Sequence, residues 1–178
     1  MSNSPESVEE FYRLNCLTRR HHGLPPQPPA FFRNVHQHVL AEGSGFVVIA
    51  RWQGASVSAA VFLHFGNKAY YKYGASDLRV QHLRANNLVM WEAIRTFVRK
   101  GFRTFCLGRS EPDNEGLRQF KNGWGARERW IHYYKYDFKK REYAEIRPRI
   151  TGFHNHLFRH LPLSVSRMIG TALYKHVG

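Results

Sequence analysis

The chain reads as a single α/β (α+β) domain in which a mostly antiparallel central sheet is flanked by helices, and three observations carry that reading. Apolar residues recur at helical spacing before residue 43 and again after residue 86, whereas between Gly45 and Tyr73 they fall into strand-like runs. Gln53-Gly54 and Gly66-Asn67 punctuate that middle stretch as hairpin turns do. With 178 residues, 43% hydrophobic and 15% aromatic, the chain can bury one substantial core.

The elements follow in order. Ser4-Pro5-Glu6-Ser7 opens a helix that continues through Val8, Phe11, Tyr12 and Leu14 and stops near His22-Gly23. Pro25, Pro26, Pro28 and Pro29 impose an extended connection, after which Phe31, Phe32, Val35, Val39 and Leu40 mark a second helix ending near Gly43. Gly45 to Trp52, Ser56 to Phe65 and Lys68 to Tyr73 then form a three-stranded antiparallel meander. A loop from Gly74 to Arg84 leads to a long helix over Asn86–Lys100, whose apolar positions are Leu88, Trp91, Ile94, Phe97 and Val98. Arg103 to Leu107 reads as a short buried strand, Asn114 to Gly125 as a short helix, and Ala126 to Phe138 as a final strand with five aromatic residues. This order is that of a GNAT acyltransferase domain.

A transferase domain over residues 1–142 and a basic tail over residues 143–178 are the expected divisions. In the tail Val165, Met168, Ile169, Ala172, Leu173 and Val177 share one helical face, which would pack on the domain or on an anionic membrane.

Charge narrows the partners. A formal net charge of +14 predicts attraction to polyanions, meaning nucleic acid, anionic lipid or a phosphorylated substrate. Half of that excess falls in residues 127–178. Cys16 and Cys106 have no metal-binding spacing and are expected to be reduced and buried, as in a cytosolic protein. The polar, acidic start MSNSPESVEE lacks the apolar region of a signal peptide, and no apolar run reaches spanning length, so a cytoplasmic site is expected. His36-x-His38 and His154-x-His156 lack partners at zinc spacing, so no metal is expected. Neither GxSxG nor a P-loop is present, which leaves hydrolase and nucleotidase readings without support.

The most informative stretch is Leu117-Arg118-Gln119-Phe120-Lys121-Asn122-Gly123-Trp124-Gly125. Leu117, Phe120 and Trp124 repeat every three to four residues, and Gly123 and Gly125 would end the helix. Lys121 sits in the last turn, where a cation complements the helix dipole. Its ammonium could equally stabilise negative charge that develops on a reacting carbonyl or phosphate. Both readings stand at this level.

Five motifs, taken in order, resemble the FemAB-related branch of the GNAT proteins. They are Thr18 to Pro28, Tyr71 to Asp77, Asn86 to Ile94, Gly108 to Leu117 and Phe120 to Gly125. The chain is most similar to FemAB-related proteins associated with PEP-CTERM/exosortase systems, and only to the second of the two GNAT-like domains usual in the family. The resemblance implies transfer of an aminoacyl or acyl group from aminoacyl-tRNA or acyl-CoA to an amine of a phosphorylated or lipid-linked cell-envelope precursor, in peptidoglycan or exopolysaccharide. It implies no resident cofactor and assigns oxyanion stabilisation to Lys121. It also implies a partner GNAT-like domain or homodimer, and a cytoplasmic site that reaches the inner face of the plasma membrane.

Other candidates are weaker. Tyr71, Tyr73 and Asp77 lie at the end of the third strand, where an extended acyl or peptide group could pair, although alternating tyrosines also pack cores. Asn86 and Asn87 would open the long helix as caps or hold an anion there. Arg109 could bind a phosphate or pair with Glu111 or Asp113, and Glu111 could serve as a general base. Phe120 and Trp124 complete the substrate-binding set. The phosphate-binding pattern (R/Q)xxGx(G/A) is met only by Gln81-His82-Leu83-Arg84-Ala85-Asn86, without either glycine.

Overall fold

The computed structural model describes residues 1–144 and 153–174. By proximity the chain divides into two units. The first comprises residues 1–108 together with the two C-terminal helices, and the second begins at Arg109.

In the first unit helix α1 spans Pro5–His21. Its start is set by Ser4, whose side chain accepts the Ser7 N–H, and by Pro5 in the first turn. Helix α2 spans Pro29–Val35 and runs into a π-helical turn over His36–Leu40. Strands β1 (Gly45–Trp52), β2 (Ala55–Phe65) and β3 (Lys68–Ser76) form the expected meander. The β1–β2 turn is closed by Gln53 and Gly54, both at positive φ, and Trp52 pairs with Ala55 as a two-residue hairpin requires. Helix α3 spans Ala85–Arg99, and strand β4, Thr104–Cys106, adds in parallel beside β3. The sheet order is β1-β2-β3-β4, antiparallel except for its last pairing.

Each sheet face buries its own cluster. On one face Phe11, Leu14 and Phe32 meet Val47, Ala59 and Val61, with Tyr73 packed against Phe11 and Phe32. On the other, Phe97 of α3 contacts Phe46, Phe62 and Phe105. Burial of such aromatic side chains dominates the stability of a small core.

Helices α5 (Phe153–His160) and α6 (Leu163–Leu173) follow. Val165, Met168, Ile169, Ala172 and Leu173 do fall on one helix, α6, with Val165 and Ile169 half-buried. Met168 and Leu173 are exposed, while Ser166 and Gly170 are buried, and α6 packs on α1. The reason is steric: a Cβ at residue 170 would overlap the Pro26 carbonyl, so only glycine allows this approach. Val177 lies outside the described residues, as do residues 145–152.

In the second unit helix α4 spans Glu115–Asn122, capped by the Asn114 side chain on Leu117 N–H. Gly123 is in the right-handed helical region and Gly125 is the residue at positive φ, so the helix yields its geometry later than the glycine pair suggested. The expected strand over Ala126 to Phe138 is largely absent. Only Lys135–Asp137 (β5) is a strand, and it pairs with Glu142–Ala144 (β6) in a hairpin separate from the main sheet. Aromatic content raised strand propensity there, but among the described residues no strand pairs with 126–134. Cys106 is exposed at the end of β4, against expectation, whereas Leu107 and Cys16 are buried.

Candidate active site

The first unit brings together a strand edge and a helix start. β4 accompanies β3 only through the pairs Lys68–Thr104, Ala69–Phe105 and Tyr70–Cys106. β3 continues to Ser76, and among the described residues no strand pairs with Tyr71–Ser76 on that side. This leaves backbone N–H and C=O groups of β3 in a position to pair with an extended ligand.

Tyr71 and Tyr73 part company at this point. The β2–β3 register shifts between Val61 and Phe62, so that Val61 opposes Tyr73, Phe62 opposes Tyr71, and Lys72 is the extra residue of a bulge. Two residues that would ordinarily share a face therefore lie on opposite faces. Tyr71 stacks beside Phe62 at 5.6 Å and fills the space a side chain at Gly74 would need. Burial holds its phenol above the ordinary tyrosine range. Tyr73 belongs to the α1 core. Asp77 caps the 3-10 turn Leu78–Leu83 and is paired with Arg79 at 2.6 Å. The hydrogen bond from Arg79, outweighing partial burial, keeps its carboxyl below the usual range.

The end of β3 is fixed by Thr18, which opens the first of the five motifs but was given no role there. Thr18 Oγ1 donates to the Ser76 carbonyl at 3.2 Å and accepts the Ser76 N–H at 2.9 Å.

At the start of α3, Arg84 has φ 49 and ψ 34, a left-handed conformation at the place where the phosphate-binding pattern has its first glycine. The backbone path persists without the glycine, at a cost of about 1–2 kcal/mol for a residue with a Cβ. No acidic residue occupies the first turn, and the Arg84 side chain makes no cap. Asn86 is held by Ser58, a fully buried serine of β2 whose hydroxyl donates to Asn86 Oδ1 at 2.6 Å. Asn87 is exposed, and its N–H bonds the Arg84 carbonyl at 2.9 Å. Ser58 was legible only as a small polar residue in an apolar strand. Arg84 was legible through the Gln81–Asn86 spacing.

The second unit carries the remaining candidates. Lys121 is 7% exposed, and its Nζ donates to the Arg109 carbonyl at 2.9 Å. The Arg109 guanidinium lies over the Tyr133 ring at 5.4 Å and pairs with Glu111 at 2.7 Å, both side chains being largely exposed. Tyr133 and then Glu111 raise the Arg109 pKa further. The Glu111 carboxylate is thus engaged by a cation. Phe120 and Trp124 contact edge to face at 6.4 Å. Arg118 and Glu128 form a second ion pair at 2.9 Å.

A four-stranded sheet whose last two strands part, with a helix start beside the opening, is the architecture of the GNAT acyltransferases. The chain belongs to that class by sequence as well: the family model "Acetyltransferase (GNAT) domain" matches residues 2–135, and the protein is an acyltransferase of this family. Solved structures agree on the fold. The aminoglycoside acetyltransferase AAC(6')-Iy, in complex with the bisubstrate analog CoA-S-monomethyl-acetylneamine, is similar with a TM-score of 0.59 at 15% identity, over 74% of this chain and 92% of that one. AAC(6')-Ih from Acinetobacter baumannii gives 0.60 at 11% identity, over 78% and 97%. A ribosomal-protein-alanine N-acetyltransferase from Brucella melitensis gives 0.55 at 12% identity, over 75% and 92%. A comparison with curated protein sequences found no match.

Proposed function

We propose that this acyltransferase takes its acyl group from an acyl-coenzyme A and delivers it to an amine. The edge of β3 beyond Tyr70, which no strand among the described residues pairs, is the observation that carries the reading. Residues Tyr71 to Ser76 would hold the extended part of the donor, and the start of α3 at Ala85, Asn86 and Asn87 would hold its anionic end. The chain's own residues fit such a group: the left-handed Arg84 keeps the turn, and the Ser58 hydroxyl anchors the Asn86 side chain to β2. The thioester would supply the activated carbonyl. For Lys121 of the second unit, whose ammonium is largely removed from water, the proposed role is stabilisation of an oxyanion.

Phe120 and the buried Lys121 favour a second reading, FemAB-type transfer from aminoacyl-tRNA to a phosphorylated or lipid-linked cell-envelope precursor in the cytoplasm. That reading calls for a partner GNAT-like domain or a homodimer to complete the acceptor cleft, and for work at the inner face of the plasma membrane.

Calorimetric titration with acetyl-CoA and longer acyl-CoAs, alongside aminoacyl-tRNA, separates the two. Acyl-CoA binding that Asn86→Asp weakens at least tenfold supports the first reading. No acyl-CoA binding at millimolar concentration, with binding of aminoacyl-tRNA, overturns it in favour of the second.

A further inference from the structure

The second unit ends in a hairpin whose composition the acyltransferase reading does not use. Tyr136 lies at the centre of β5, Tyr134 and Phe138 flank the strand on either side, and Tyr143 of β6 is registered opposite Tyr136. Cross-strand partners such as Tyr136 and Tyr143 share one face. The four rings touch one another as a continuous layer: Tyr134 to Tyr143 at 6.0 Å, Tyr136 to Tyr143 at 5.3 Å and Tyr136 to Phe138 at 5.2 Å. The layer is open to solvent, with Tyr134 78%, Phe138 85% and Tyr143 72% exposed. Trp130 and Ile131, just before it, are also exposed. A two-stranded sheet with a bare aromatic face is poorly stable in water and calls for a cover.

Charge identifies the cover. Lys139, Lys140 and Arg141 form the tip of the same hairpin, and the Lys139 and Lys140 N–H groups close the turn on Asp137 Oδ1. Arg127, Arg129 and Lys135 add to the basic side of the segment. A second copy of a chain with a net charge of +14 would bring like charges together, so the partner is anionic. Single-stranded nucleic acid would need flat ring faces turned outward as stacking platforms. Here the rings pack edge to face, with interplanar angles of 65° to 78°, so they do not present the parallel, evenly spaced faces that successive bases stack on, and Phe138 adds apolar surface with no polar handle. Exposed Trp and Tyr beside Phe, with three basic residues at the edge, match the layered chemistry of a lipid interface: hydrocarbon, headgroup, anionic phosphate.

We infer that the β5–β6 hairpin is an insertion element for anionic membrane surfaces, with Tyr134, Tyr136, Phe138 and Tyr143 entering the headgroup boundary and Lys139, Lys140 and Arg141 engaging lipid phosphates. The inference is independent of the donor and acceptor.

The test is co-sedimentation of the full chain with vesicles of phosphatidylcholine alone and of phosphatidylcholine with phosphatidylglycerol, joined to quenching of tryptophan fluorescence by brominated lipid. Binding to the anionic vesicles and quenching in the wild type are expected. Tyr136→Ser with Phe138→Ser should abolish the quenching. Neutralising Lys139, Lys140 and Arg141 to Gln should weaken partition about fivefold per residue, on the order of a hundredfold in all. These side chains are exposed, and circular dichroism checks that the variants fold. Binding without quenching, binding unaffected by the aromatic pair, or displacement of the vesicles by poly(U) with affinity lost in the same pair would each overturn the proposal. A dimer that the aromatic pair dissociates would overturn it as well.

Discussion

The Ser58 hydroxyl, fully buried in β2, donates to the side-chain carbonyl of Asn86 in the first turn of α3 at 2.6 Å, and so ties the proposed donor site to the centre of the sheet. Ser58→Ala leaves Asn86 to water and should cost about 1 kcal/mol in thermal or denaturant unfolding. Asn86→Asp can still accept from Ser58, and a carboxylate suits a helix N-terminus, so stability should hold while acyl-CoA affinity falls at least tenfold.

Thr18 holds the end of β3 through both backbone groups of Ser76. Thr18→Val keeps the shape and removes both bonds, which should cost about 1–3 kcal/mol and accelerate hydrogen exchange at Ser76 by one to two orders of magnitude. Exchange at Val47, on the far side of the sheet, should change only by the global loss of stability. Equal acceleration at both sites would show that Thr18 does not act locally.

Helix α6 gives a matched pair of variants. Gly170→Ala meets the Pro26 carbonyl and should destabilise by about 1–3 kcal/mol, with earlier proteolytic loss of α6. Ser166→Ala removes a buried hydroxyl that has no hydrogen-bond partner among the described residues, and should be neutral or stabilising in the same assay.

Tyr12 is one of the groups that should link stability to alkaline pH. Its phenol is pushed up to about 12, first by burial and then by the Cys16 thiol, with Arg167 over the ring opposing. The unfolded chain releases this proton near pH 10, whereas the folded chain keeps it to about 12. The contribution is therefore complete below pH 10 and is lost as pH rises to about 12. Its hydroxyl makes no hydrogen bond of ordinary geometry among the described residues, so Tyr12→Phe should fold normally at pH 7 and show a shallower loss of melting temperature between pH 10 and 12.

Lys121 separates structure from catalysis. Lys121→Met retains much of the buried volume and should lower turnover by two to three orders of magnitude at unchanged donor affinity if the ammonium stabilises the oxyanion. Loss of stability with full specific activity in the folded fraction would assign Lys121 a structural role, its hydrogen bond to the Arg109 carbonyl included.

Much of the first unit was readable from residue spacing. The Ser4-Pro5 start and the Gln53-Gly54 turn act over a few residues, and local chemistry decides such features. Helix α3 lies where the spacing predicted, but it buries Val89, Met90, Ala93 and Phe97, while Leu88, Trp91 and Val98 of the expected apolar face are exposed, because the sheet it packs against selects the face. The motif containing Lys121 was likewise visible, and its helix lies where Leu117 and Phe120 predicted. Tyr71 and Tyr73 were read as neighbours on one face, and the bulge at Lys72 that separates them leaves no signal in composition. Sequence alone therefore determined the order of the elements, the hairpin turns and the residues able to carry charge, because these depend on contacts within a turn or a strand. Only the tertiary structure decided that β4 leaves β3 after Tyr70, that Ser58 reaches Asn86, and that α6 buries Ser166 and Gly170 most deeply while Met168 and Leu173 stay exposed. Each of those depends on which distant surfaces fit closely enough to exclude water, and that is a property of shape in three dimensions.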